Sequence, residues 1–305
     1  MKQEYLDTVR LLIDIAPTVF RSEHFAMKGG TALNLFVQDM PRLSVDIDVV
    51  FTDHLPGRDE ALSMIDRALK QARRSLEQAG FAVTAPQASG GEEIKLLVRD
   101  EKAEVKIEVN HVFRGTLLPT VVTPLSEAAQ ELFTSGLSVP LLDGAELYGS
   151  KLVAAMDRQH PRDIFDVMKM REKFGLPSRF VDCFVAYLAG HGRPVHEVLF
   201  GNEAPLEQAY ENQFKGMTAE AVSLEALLDT RKALKTDLPR SLTQEHKQFL
   251  LSLVQLEPAW ELMPFAHLKD LPALKWKFLN LEKLKAAKPA VFRKQYDLLA
   301  ERLAG

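Results

Sequence analysis

The sequence predicts an α+β fold, in which a small mixed sheet with helices packed on it is followed by an all-helical C-terminal domain. Three observations lead there. Ser44 to Phe51 alternates with period two, further strand-like segments recur as far as residue 111, and beyond residue 140 the apolar positions recur at helical spacing.

Apolar residues from Tyr5 to Val19 follow helical spacing, which predicts an amphipathic helix closing near Pro17. Phe25 to Lys28 runs into Gly29-Gly30, and Thr31 to Val37 resumes a helical pattern, so the glycines read as a tight turn opening a helix. In Ser44–Phe51, Val45, Ile47 and Val49 face one side and Asp46 and Asp48 the other. A long helix is predicted over Arg58–Ala79, ending at Gly80. Strands are predicted over Phe81–Ala85, Ile94–Val98 and Glu104–His111, with Gly90-Gly91 as a break between the first two. The core domain is placed at residues 1–138 and the helical domain at 139–305. In the latter, Asp143 and Glu146 have capping-box spacing before a helix running to about Arg158, and Pro161 starts another that stops before Gly175. Further helices are predicted over roughly 178–190, 219–236, 242–255 and 278–303.

With 305 residues and 46% hydrophobic content, the chain has room for two domains with cores of their own. A formal net charge of -4 argues against a protein that coats nucleic acid non-specifically, so any such partner must be held by a local basic patch. Cys183 is the single cysteine, which excludes an intrachain disulfide and a zinc site built on a thiol cluster. Met1 to Arg10 carries charges in place of an apolar core, and no stretch approaches the ~18 apolar residues of a membrane span, so a cytoplasmic protein with no membrane partner is expected.

Asp46 and Asp48 are the most informative pair. Carboxylates at i and i+2 on a strand project from one face about 7 Å apart, a spacing that lets both ligate hard divalent cations. The other strand face is apolar, so two unscreened acids there call for a cation. Lys106, Glu108 and Asn110 share a face of another predicted strand, and Glu108 could complete a carboxylate triad for Mg²⁺, with Mn²⁺ as a substitute. The turn Lys28-Gly29-Gly30-Thr31 precedes a helix, where backbone N–H groups and the Thr31 hydroxyl can meet a phosphate. Most Gly-Gly pairs are merely turns; this one is followed, after 14 intervening residues, by the D-x-D strand.

Gly29-Gly30-Thr31 followed by Asp46-Ile47-Asp48 resembles the signature of the DNA polymerase beta-like nucleotidyltransferases. The longer string from Lys28 to Leu33, continuing through Arg42-x-Ser44-x-Asp46-x-Asp48, resembles the narrower AbiEii/MenT toxin family, as does Lys151-Leu152 followed by Arg158, Asp163 and Asp166. The resemblance spans residues 28–166. It implies a DNA polymerase beta-like core and transfer of a nucleoside monophosphate from an NTP. Asp46 and Asp48 would be the catalytic metal ligands, with Lys28, Gly29, Gly30, Thr31 and Ser44 at the nucleotide. Lys151 would hold phosphate, and Asp163 would polarise the acceptor hydroxyl or order Lys151, with Asp166 bracing it. It further implies a separately encoded antitoxin, without a stable complex, and the 3′ end of tRNA as acceptor.

Each late residue also has a plainer account. Lys151, Ala155 and Arg158 share a helix face that could be a solvated basic stripe. Asp163 lies in a first turn, where the helix dipole favours any carboxylate. Asp166 could pair with Arg162 or Lys169, and the lone histidines His111 and His160 read as structural. From Leu271 to Gly305, eight Lys and Arg stand against three Asp and Glu, a net charge of +5. Aromatics are interleaved with them. Lys283, Lys285, Arg293 and Lys294, with Arg158 earlier, are candidates to contact RNA, or form the solvated face of a helix with core aromatics. Two other functions are compatible with the motifs: NMPylation of a protein hydroxyl, and a catalytically silent module binding GTP or another NTP.

Overall fold

The computed structural model describes residues 3–86, 94–110 and 112–304, so the Gly90-Gly91 break and His111 lie outside the described residues. The chain divides into two compact units. The first is Met1–Gly144 with Met217–Glu220, and the second is Ala145–Gly216 with Ala221–Gly305.

In the first unit, α1 (Gln3–Val19) leads to β1 (Phe25–Lys28), the short α2 (Gly29–Ala32) and a π-helical turn over Leu33–Val37. Then come β2 (Ile47–Phe51), α3 (Arg58–Gln78), β3 (Ala82–Thr84), β4 (Lys95–Arg99) and β5 (Glu104–Asn110). The unit closes with β6 (Val121–Pro124), α4 (Glu127–Phe133) and β7 (Ser138–Leu141). The seven strands form one sheet in the order β3-β4-β5-β2-β1-β7-β6. It is mixed: β2 pairs parallel with β5 and β1 parallel with β7, and the other neighbours are antiparallel. Because β7 belongs to this sheet, the division falls at Gly144 and not at residue 138.

Register sorts the central strands into two faces. Ile47, Val49, Leu96, Val98, Val105, Ile107 and Val109 line one face, all buried, and α1 and α3 pack against the sheet. Burying such a stripe supplies the main favourable term for the unit, roughly 25 cal/mol per Å² of apolar area. Helix α1 runs through Pro17 to Val19 instead of closing at it. A proline so near the end removes one hydrogen bond from a turn that is about to stop. Strand β2 begins at Ile47, three residues later than its alternation suggests, because the stretch before it is held by the returning segment 217–220. Arg42 bridges Thr218, and the Leu43 N–H donates to the Met217 carbonyl at 2.8 Å.

The second unit is helical among its described residues: α5 (Gly144–Asp157), α6 (Pro161–Phe174), α7 (Ser178–Ala189), α8 (Val195–Phe200), α9 (Glu207–Gln213), α10 (Leu224–Ser241), α11 (Gln244–Val254), α12 (Pro272–Ala287) and α13 (Pro289–Ala304), with 3₁₀ turns at Trp260–Leu262 and Leu268–Asp270. Ile164, Phe165, Leu206, Phe214 and Leu227 form a buried cluster joining α6, α9 and α10. The expected single helix over 278–303 is two helices broken at Lys288. That residue precedes Pro289, whose ring disfavours helical backbone before it, and Pro289 then starts α13. No described helix is long and apolar enough to cross a membrane.

Candidate active site

Direct register neighbours in a sheet point to the same face. Lys28 on β1 stands opposite Asp48 on β2, Asp48 opposite Glu108 on β5, and Glu108 opposite Lys95 on β4, so one row across four strands carries charge in the order plus, minus, minus, plus. One row over, Lys106 sits beside this pair of acids. Its ammonium is 3.1 Å from Glu108 Oε2 and 3.8 Å from Asp46 Oδ2. Burial acts to lower the Lys106 pKa, but Glu108, Asp46 and Asp48 together outweigh it and hold the group above its ordinary value.

The glycine turn is shaped around these side chains. Gly29 has φ +80°, a conformation that favours glycine, and a Cβ there would lie 3.0 Å from both Cβ and Cγ of Asp48. A Cβ on Gly30 would lie 2.6 Å from Arg42 Nη2 and 2.7 Å from Ser44 Oγ. The two glycines therefore let a carboxylate and a guanidinium close in on the turn. The Thr31 hydroxyl donates to Ser44 Oγ at 3.2 Å, and the Ser44 N–H donates to Tyr5 Oη at 3.3 Å. Burial raises the Tyr5 pKa against the opposing pull of the Ser44 N–H and Arg42. Asn34, in the π-helical turn, donates to the Gly30 carbonyl at 2.8 Å and accepts from the Arg42 N–H at 3.3 Å, linking the turn to the strand that follows.

The second unit holds a separate charged cluster. Lys151 Nζ lies 3.0 Å from Asp163 Oδ1 and 3.0 Å from Asp166 Oδ2, all three being buried. Arg158 reaches the other Asp163 oxygen at 2.8 Å from a side chain that is 62% exposed. Burial pushes the Asp163 carboxyl up, yet Lys151 and Arg158 outweigh it and hold the group below the ordinary carboxylate value. Lys151 is thus not part of a solvated stripe, and Asp166 pairs with Lys151; Lys169 pairs with Glu172 instead. His160 caps α6, its Nδ1 accepting from the Arg162 N–H at 3.2 Å. Glu146 is fully buried and accepts from Tyr187 Oη at 3.0 Å.

Asp46, Asp48, Lys28, Gly29, Gly30, Thr31, Ser44 and Glu108 all fall in the first unit, and Lys151, Arg158 and Asp163 in the second. No group of three or more His, Cys, Asp or Glu side chains is drawn together among the described residues. Asp46 and Asp48 nonetheless suit a hard cation. Mg²⁺ keeps several waters and is commonly held by one or two carboxylates plus substrate phosphates, and Asp48 lies against a turn that only a missing Cβ leaves open. Sequence reasoning gave no part to Tyr5 or Asn34 and no role to Lys106 or Arg42. Lys106 had a visible signal, since it shares a strand face with Glu108.

A search of curated proteins returned no match. A solved structure, MenT4, a nucleotidyltransferase toxin from Mycobacterium tuberculosis H37Rv, is similar in fold, with 19% identity, a TM-score of 0.52 and coverage of 85% of this chain and 96% of that one. Residues 10–279 match the family described as nucleotidyl transferase AbiEii toxin, type IV TA system. That span takes in both units and both groups of motif residues, and the chain belongs to the AbiEii family of nucleotidyltransferase toxins of type IV toxin–antitoxin systems.

Proposed function

We propose that the chain transfers a nucleoside monophosphate from an NTP to the 3′ end of tRNA in the cytoplasm, with Mg²⁺ held by Asp46 and Asp48. The observation that carries this reading is the placement of Asp48 against Gly29, which puts a metal-ligating carboxylate and a phosphate-binding turn side by side. Bound there, Mg²⁺ would offset charge on the triphosphate and on the leaving pyrophosphate. The acceptor hydroxyl attacks the α-phosphorus as the bond to the bridging oxygen breaks, so the protein's contribution is positioning and charge neutralisation. Gly29, Gly30 and Thr31 present backbone N–H donors to phosphate, while the Thr31 hydroxyl donates to Ser44 Oγ and ties the turn to Ser44. Lys151 is assigned to phosphate on the family resemblance. For Asp163 the structure favours the ordering role, since both of its oxygens already hold cations. The antitoxin of the pair is expected to act without forming a stable complex.

The test is incubation of the purified protein with Mg²⁺, total tRNA and each α-³²P-labelled NTP in turn, beside Asp46→Ala. Label on tRNA that is absent from the variant supports the proposal and names the nucleotide. Label confined to protein bands in an added lysate would replace tRNA with a protein hydroxyl as acceptor. NTP binding without any transfer would make this copy a silent module.

A further inference from the structure

Asp48 and Glu108 are direct neighbours on parallel strands, a placement in which like charges repel. Asp46 adds a third carboxylate at the edge of the pair. Among these acids stands the ammonium of Lys106, 3.1 Å from Glu108 and 3.8 Å from Asp46, with its side chain 31% exposed. Val105 and Ile107 on either side of it are buried in the opposite face, which fixes the direction in which Lys106 leaves β5. Its register neighbour on β4 is the apolar Leu97. Its ion-pair partners are Asp46, proposed above as a metal ligand, and Glu108.

The geometry points to Lys106 as a built-in counter-ion, which neutralises Asp46 and Glu108 in the metal-free enzyme and competes with the divalent cation for them. This rests on the proposed role of Asp46 and Asp48 as metal ligands. A cation arriving at Asp46 meets a positive charge a few ångströms away, and three carboxylates with one ammonium present a local charge of -2 where the acids alone would present -3. Glu108 then serves first as the partner of Lys106. Lys106 is a positioning residue in this scheme: it keeps the acids ordered until the cation and nucleotide arrive, and it sets how tightly the cation is held.

The test is titration of Mn²⁺ into the NTP-free, full-length protein, followed by the EPR signal of free Mn²⁺ and by Tm. Wild type, Lys106→Met, Lys106→Arg and Asp46→Ala would be compared. Lys106→Met is expected to bind Mn²⁺ about tenfold more tightly than wild type, the size of effect that one charge exerts a few ångströms away through largely aqueous surroundings. It should also gain more in Tm on Mn²⁺ addition, while Lys106→Arg stays within about twofold of wild type. Equal or weaker Mn²⁺ binding by Lys106→Met would overturn the counter-ion role. So would a Lys106→Met chain that fails to fold with Mn²⁺ as well as without it, because a missing counter-ion is replaceable by the cation. Asp46→Ala separates metal binding by Asp46 from the counter-ion role of Lys106. If its Mn²⁺ affinity equals that of wild type, the metal reading falls and the counter-ion role falls with it; if its binding is lost while Lys106→Met matches wild type, the inference about Lys106 alone fails.

Discussion

The carboxylate of Asp48 lies in the space that a side chain on Gly29 would need, with its Cβ and Cγ both 3.0 Å from where that side chain would begin. Gly29 also holds φ at +80°. Two independent requirements thus converge on one glycine. Gly29→Ala should cost about 1–2 kcal/mol for the left-handed backbone alone. It should also lower turnover by roughly 100-fold through displacement of Asp48, since shifts of about 1 Å in a reacting group have that effect. Gly30→Ala meets only the ends of the Arg42 and Ser44 side chains and carries no such backbone penalty, so its Tm should fall less. Thermal melts and single-turnover assays of both variants check this, and equal losses in the two would contradict it.

Lys151 is claimed by two buried carboxylates, and removing it takes the ammonium from Asp166 and leaves Asp163 with Arg158. Lys151→Met should destabilise the second unit by about 3–5 kcal/mol, the usual result of breaking a buried pair from one side. Loss of activity in that variant would therefore not report on phosphate binding by itself. Arg158→Ala removes an exposed partner of the same cluster and should cost about 0–1 kcal/mol, so its activity is the cleaner measure of function in this region. Urea denaturation of the two variants provides the comparison.

The same cluster sets an acid limit. Asp163 is held below the ordinary carboxylate pKa in the folded chain, so the unfolded chain takes up a proton first as pH falls. Its stabilisation is complete above the unfolded value of about 3.9 and is lost as pH drops toward the lower folded value. Between pH 7 and 5 the group should contribute no slope. Asp163→Asn should flatten the acid limb of the stability profile below about pH 4, which urea midpoints across pH 3–7 would show; an unchanged limb would count against the ion-pair account.

Lys277 works in the opposite pH range. Its ammonium donates to the His191 and Arg193 carbonyls at 2.8 and 2.7 Å, and burial lowers its pKa to about 8 against the opposing charge of Glu197. Between about 8 and the unfolded lysine value of about 10.4 the unfolded chain binds the extra proton, so this group makes folding more favourable as pH rises through that window, by on the order of 2–3 kcal/mol. Lys277→Met should therefore lose more stability relative to wild type at pH 9.5 than at pH 7.5. A difference that does not vary with pH would show that Lys277 acts only through its hydrogen bonds.

Local sequence carried the parts of this fold that depend on local chemistry. Alternation placed β2, β4 and β5, the Pro161 start and Gly175 stop bounded α6, and the glycine turn with D-x-D marked the candidate site. Long-range pairings had no such signature. Nothing near Leu43 indicates that Met217 will hold it and delay β2 to Ile47, and nothing near Tyr5 indicates its bond to Ser44, 39 residues on. Strand β7 pairs with β1 across more than a hundred residues, which is why the domain boundary could not be fixed from composition. Lys106 shows a different gap: the strand face it occupies was legible, but the parallel register that brings it to Asp46 was not.

The basic stretch of α12 and α13 yields the last prediction. Trp276 is 51% exposed with Lys283 Nζ 5.9 Å from its ring centre, and Lys285 stands 5.5 Å from the Phe292 ring. Lys283, Lys285, Arg293 and Lys294 are all exposed, while Leu281, Leu299 and Leu303 supply the buried side of the hairpin. A solvated lysine face needs no exposed tryptophan, whereas base stacking flanked by phosphate contacts uses both. Replacing Lys283 and Lys285 with Ala should leave the unfolding free energy within about 0.5 kcal/mol of wild type. It should raise KM for tRNA, lower the salt dependence of that KM by about one phosphate contact per lysine, and leave KM for the NTP unchanged. Trp276→Ala should raise KM for tRNA without altering the salt slope, because stacking releases no counter-ions. If both variants keep the wild-type KM for tRNA at every salt concentration, the hairpin is only the solvated edge of the helical unit, and the acceptor is held elsewhere.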